Sequence, residues 1–122
     1  MRFSIKTTLV LALLAPAAHA SDLPDPPPEQ THAITSYVEG WLDAQLQEDG
    51  TYDIPERMGH DVAGTPGPFH TVHQHDAHTF YVCVDFLDGE TIYDVDFYIG
   101  TDGEDFSVSE HFLHKIDGVV VE

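Results

Sequence analysis

Three Asp-Gly pairs, at Asp88-Gly89, Asp102-Gly103 and Asp117-Gly118, divide the second half of the chain into apolar runs of strand length. Asp-Gly between alternating hydrophobic residues is a strong short-range hairpin signal, because its backbone accepts the positive φ values of two-residue turns. Repeated three times, it predicts an antiparallel meander. With each pair taken as the centre of a turn, the register follows by counting. Around the first turn Val84 faces Tyr93, Val82 faces Val95 and Phe80 faces Phe97. Around the second, Ile99 faces Phe106, Phe97 faces Val108 and Tyr93 faces Phe112. Every pair is apolar, and a slip by one residue would invert all of them. The third turn returns a short strand, Val119 to Glu122, and a further strand, Phe69 to His73, is expected ahead of the first. Glu110 alone interrupts the apolar face, so either the cover ends there or a bulge intervenes.

An apolar face of this kind needs a cover. Ile34, Tyr37, Val38, Trp41, Leu42 and Leu46 recur at spacings of three and four, which predicts an amphipathic helix of about four turns. Thr31 is its expected N-cap and Asp49-Gly50 its stop. Gly40 inside it costs about 1 kcal/mol relative to Ala, which points to close backbone packing. Residues 51–68 carry Pro55, Gly59, Gly64, Pro66, Gly67 and Pro68; they read as a long loop with a short helical turn at Glu56 to Gly59. Residues 31–122 are thus expected to form a single α+β domain, one N-terminal amphipathic helix packed on a four- to five-stranded antiparallel meander. The helix-then-sheet order over roughly the last ninety residues resembles the layout of small secreted modules of cystatin-like or PepSY-like type, a likeness that carries no residue roles.

The start of the chain is an address. Arg2 and Lys6 precede the apolar run Leu9 to Leu14, and Ala18-His19-Ala20 is a small-x-small cleavage site, so residues 1–20 read as a signal peptide. The run is too short to span a membrane, which takes about 20 residues. The expected location is periplasmic or extracellular. Residues 21–30 hold four prolines and are expected to be an extended leader.

Charge sets the next limit. The 122 residues carry 22 Asp and Glu against four Lys and Arg, a formal charge of -18, and cleavage after Ala20 would leave Arg57 and Lys115 as the whole basic complement. Nucleic acid and anionic membranes are excluded as partners, since both are bound through basic side chains. Self-repulsion on this scale is relieved by salt or bound cations, so the acidity reads either as adaptation of a secreted protein to a saline medium or as a cation site or a surface for a basic protein partner. A single cysteine, Cys83, allows no internal disulfide.

Two groups carry candidate chemistry. His70, His73, His75 and His78 lie within nine residues, and imidazole is the commonest ligand of Zn and Cu in an oxidising compartment. A turn centred on His75 and Asp76 would make His73 and His78 cross-strand neighbours; the competing reading is solvated loop histidines of an acidic protein. On the face away from the core, the counted register sets Cys83 opposite Asp94 and Asp94 opposite His111. That geometry is too wide for a thiol-imidazole nucleophile pair but compatible with a bridging metal; the competing reading is a half-buried cysteine on a polar sheet face under the Pro/Gly loop. The acids Asp85, Glu90, Asp94 and Asp96, and the tip Asp102-Gly-Glu-Asp105, lack the ligand order of a calcium loop. No phosphate loop, nucleophile elbow, His-Glu-x-x-His or haem-attachment motif occurs. The sequence therefore favours a binding module that takes a divalent metal. An interaction module for a basic partner comes second and a small hydrolase third.

Overall fold

The alternation in residues 79–116 does form three long antiparallel strands, and more of the chain joins them than the sequence predicts. The computed structural model describes residues 23–56, 59 and 61–121; the expected signal peptide lies outside the described residues. In chain order the elements are α1 (Pro28–Gln45), β1 (Tyr52–Ile54), β2 (Val62–Phe69), β3 (His73–Asp76), β4 (Thr79–Asp88), β5 (Thr91–Asp102), β6 (Asp105–Ile116) and β7 (Val119–Val120). The seven strands make one antiparallel sheet in the order β1-β2-β4-β5-β6-β7, with β3 paired to the remaining length of the β4 edge. The α+β class holds, and the sheet curls into a half-barrel with more strands than expected.

Helix α1 begins earlier and ends earlier than its pattern implies. Pro28 takes the first helical position after Pro27, where a missing N–H costs nothing and the fixed φ suits the helix. The leader therefore donates its last residues to α1, and Thr31 lies inside it. The helix ends at Gln45 with an extended Leu46; Asp49 and Gly50 form a separate turn, in which the Asp49 carboxylate accepts from the Thr51 N–H and hydroxyl. Ile34, Val38 and Leu42 are buried. A Cβ added at Gly40 would meet nothing within 4 Å, so the expected close packing there is absent.

The residues read as a loop contain β1 and β2; the helical turn expected at Glu56 to Gly59 includes Arg57 and Met58, which lie outside the described residues. Prolines hid β2 because a proline cannot donate to a ladder. The strand accommodates them with an irregularity: Pro66 faces Phe86, and the register then shifts so that Phe69 faces Val84.

The first two hairpins correct the counted register. Asp88 pairs with Thr91 and Asp102 with Asp105, so Gly89 and Gly103 are first central residues, with φ of 62° and 67°, as type II′ turns require. Partners move by two residues, giving Phe86↔Tyr93, Val84↔Val95 and Val82↔Phe97, which keeps the faces. Only the third turn centres on Asp-Gly, with Asp117 at φ 50° and Gly118 at 83°. In β6 the register shifts between the partners of Tyr98 and Ile99 and again between those of Asp94 and Val95. The first shift is the bulge that Glu110 hinted at. It turns Glu110 and Phe112 to the open face and brings His111 and Leu113 under the helix, opposite Phe97 and Val95.

The core lies between α1 and one sheet face: Phe80, Val82, Val84, Phe86, Val95, Phe97 and Ile99 with Ile34, Val38 and Leu42. Trp41 packs edge-on against Phe97 and Tyr52. Fully burying an aliphatic or aromatic side chain contributes about 1.5–3 kcal/mol, so this face, not the turns, fixes which side of each strand is left for function.

Candidate metal centre on the open sheet face

The other face is crossed by rows of cross-strand neighbours. Tyr81 faces Tyr98, Cys83 faces Asp96, Asp85 faces Asp94, and Leu87 faces Ile92. Its centre is acidic. Asp85 and Asp94 sit directly opposite each other, with Lys115 opposite Asp94 on β6.

His70 completes this row. It follows β2, where its N–H donates to the Cys83 carbonyl, and this anchors its ring over β4. Its Nε2 lies 2.8 Å from Asp85 Oδ1 and 3.8 Å from Asp94 Oδ1. The three ligand atoms lie within 4.8 Å of one another, the one such group of His, Cys, Asp and Glu among the described residues. Ligands about 2.0–2.2 Å from a tetrahedral zinc stand about 3.3 Å apart, and the two His70 distances bracket that value. The His70 side chain is 52 % exposed while Asp85 and Asp94 are 18 % and 21 % exposed. The site is therefore open on its imidazole side and half-buried on its carboxylate side.

Electrostatics single out Asp94. Its Oδ1 is buried and has no hydrogen-bond partner among the described residues. Burial pushes its pKa above the ordinary carboxyl value, and the hydrogen bond and negative charge of Asp85 push the same way against the opposing pull of His70 and Lys115. The facing negative charge of Asp85 disfavours ionisation of Asp94, a cost that a cation between the two carboxylates relieves.

The structure places the expected ligands as follows. Of the four clustered histidines, His70 joins the site and the others do not converge. The hairpin turn falls on Ala77 and His78, later than counted, so His73 faces Tyr81 and not His78. His73 Nδ1 is 2.9 Å from Asp25 Oδ1 in the leader. His75 lies edge-on to Tyr81 and Tyr98, and His78 is exposed in the turn. The second group separates. Cys83 and Asp94 share the open face, but His111 is on the covered face, stacked on Phe97 and hydrogen-bonded to the Tyr52 hydroxyl. The β6 bulge inverted its side. Asp85, which the sequence showed only as one acid among many, becomes the partner of Asp94; a turn centred one residue later, on Gly89 and Glu90, would have revealed it.

Beside the site, the Cys83 thiol donates to Asp96 Oδ1 at 2.8 Å, and His114 Nδ1 is 3.3 Å from Asp96 Oδ2. Burial, then the hydrogen bond to Asp96 and the charges of Asp96 and Asp94, push the Cys83 pKa up to about 12 against a small opposing effect of Lys115. The thiol is therefore neutral at physiological pH and is no nucleophile. Comparison of the chain with protein-family models, with curated proteins and with solved structures finds no match.

Proposed function

We propose that this protein is a small acidic secreted or periplasmic binding module that holds a divalent transition metal, zinc or copper, at His70, Asp85 and Asp94. The observation that carries this reading is the buried, unpartnered Oδ1 of Asp94 facing both Asp85 and the His70 imidazole. A like-charge pair is a cost to the empty fold and an advantage once a cation sits between its members. One imidazole with two carboxylates suits a first-row transition metal better than calcium, which takes six to eight oxygens. The open imidazole side leaves room for a water or an exogenous ligand in a further coordination position.

The test is the thermal midpoint of the chelator-stripped protein with Zn, Cu, Ni, Ca or Mg added singly in moderate salt. Metal bound only to the native state at a hundred times its Kd adds about 2.7 kcal/mol, a shift of several degrees for a domain of this size. Zinc or copper should give that shift, and His70→Ala and Asp94→Asn should each abolish it while His73→Ala and His78→Ala leave it intact. Small equal shifts with all five ions would mean general charge screening and overturn the assignment.

A further inference from the structure

The end of the open face remote from His70 is aromatic. His73, Tyr81 and Tyr98, from β3, β4 and β5, are cross-strand partners in one row that ends at Glu110 of β6, and Phe112 of β6, opposite Asp96, leans against Tyr98 from the neighbouring row. Centroid separations are 5.1 Å for His73 and Tyr81, 5.8 Å for Tyr81 and Tyr98, and 5.9 Å for Tyr98 and Phe112. The last two pairs are stacked, at 25° and 18°, and His75 stands edge-on to Tyr98 at 5.1 Å. Where the row meets the β3–β4 turn, a cleft of about 390 Å³ opens, lined by His75, Asp76, Tyr98, Glu110 and Phe112 among others.

Two things define what such a cleft can recognise. Its lining brings two carboxylates and no Lys or Arg to walls made partly of aromatic rings. Its volume lies within the range of small-molecule sites, about 300–1,000 Å³, but it is a shallow recess open to solvent, not an enclosed pocket, and it offers no cage for a bare ion. A metal is also excluded by geometry, since the donors that converge within 4.8 Å among the described residues are those of the other site. Anions are repelled. A cation whose charge is spread over carbon-bound hydrogens loses little hydration against aromatic carbon and keeps its attraction to carboxylates, whereas a hydrated metal ion gains nothing from rings.

We infer that this cleft binds a small organic cation, an ammonium on an apolar frame, with Asp76 and Glu110 as counter-charges and the Tyr98 and Phe112 rings as its apolar wall. The Asp76 carboxylate is suited to this part. The His78 N–H donates to its Oδ1 at 2.9 Å, which fixes its orientation. The position of Phe112 is the second support. The β6 bulge turns this large ring out of the core to stack on Tyr98, an arrangement that core packing alone does not require.

The probes are choline and 3,3-dimethyl-1-butanol, which match in shape and differ in charge, titrated into the purified protein by calorimetry and by the NMR signals of the aromatic rings. Choline should bind saturably with ring shifts at Tyr98 and Phe112, and the neutral alcohol about tenfold more weakly or not at all. Glu110→Gln should weaken choline by about tenfold, and Phe112→Leu, which keeps bulk and removes the ring, should weaken choline selectively; the two variants do not depend on each other's folding. His70→Ala should leave choline unaffected, which separates this site from the metal reading. Equal affinity for both probes would show a merely apolar cleft. Choline binding unchanged by both cleft variants, or no saturable binding, would likewise overturn the inference.

Discussion

Asp85 and Asp94 are direct cross-strand partners on β4 and β5, and the His70 imidazole lies against both. Replacing one carboxylate by an amide removes the repulsion and supplies an N–H donor to the other. Asp94→Asn is therefore expected to stabilise the metal-free protein by about 1 kcal/mol at neutral pH, a trade of function for stability. The same variant should lose the zinc or copper response. Denaturant unfolding with and without chelator measures both; a destabilised, metal-responsive variant would contradict the expectation.

The pair also sets a pH dependence. The Asp94 pKa is raised in the fold, so the folded state holds a proton that the unfolded chain releases above the ordinary value of 3.8. Stability from this group is present below that pH and is lost as pH rises through the raised value. Unfolding free energies of the metal-free protein between pH 3.5 and 6 should show this downward contribution as a difference from Asp94→Asn. Saturating zinc should cancel it, because the metal replaces the proton.

His111 works in the opposite sense on the covered face. Burial depresses its pKa below 6.5, and with the Tyr52 hydroxyl donating to Nδ1 the neutral ring is the form that packs. Its contribution is full above pH 6.5 and is lost as pH falls, since the unfolded chain takes up the proton first. His111→Phe should flatten that acid limb but cost about 1–3 kcal/mol by stranding the buried hydroxyl; Tyr52→Phe with His111→Phe should recover most of it, because both partners are then apolar. A double-mutant cycle in denaturant checks the coupling.

The Cys83 thiol, with its pKa at about 12, should resist alkylation by iodoacetamide at pH 8 in the native protein and react readily once unfolded. Cys83→Ser keeps a donor to Asp96, which is only 6 % exposed, whereas Cys83→Ala removes it. The alanine variant is expected to lose about 1–2 kcal/mol more than the serine variant. Alkylation kinetics followed by mass spectrometry and paired unfolding curves test both statements.

How much was legible follows from which signals were local. The strands β4 to β6, their covered face and the α1 stripe of Ile34, Val38 and Leu42 are period signals, and they survive a two-residue register error because faces repeat every second residue. The bulges in β6 carry no such signal, since an extra residue in one strand is paid for by contacts along the partner strand. That is why His111 and Phe112 exchanged sides. The site suffered in the same way: His70 and Asp94 were both visible as candidates, but the pairing that joins them to Asp85 depends on the choice between type I′ and type II′ turns at Gly89. The prolines of β2 masked an element whose hydrogen bonds avoid them.

Two glycines distinguish backbone need from tolerance. Gly40 lies in the interior of α1 with nothing within 4 Å of an added Cβ, so Gly40→Ala should stabilise the protein by about 0.8–1.0 kcal/mol through helix propensity alone. Gly64 sits in β2 against β4, where a Cβ would lie 3.0 Å from the Phe86 Cβ and 3.2 Å from the Leu87 backbone N and O. Those atoms belong to a paired strand and cannot swing away as a flexible side chain does. Gly64→Ala should therefore cost about 1–3 kcal/mol, and because it presses on β4 beside Asp85 it should weaken the zinc response as well. Gly40→Ala should leave that response unchanged. Unfolding midpoints of the two variants, each with and without zinc, would show whether the two strands must meet this closely to hold the carboxylates in place.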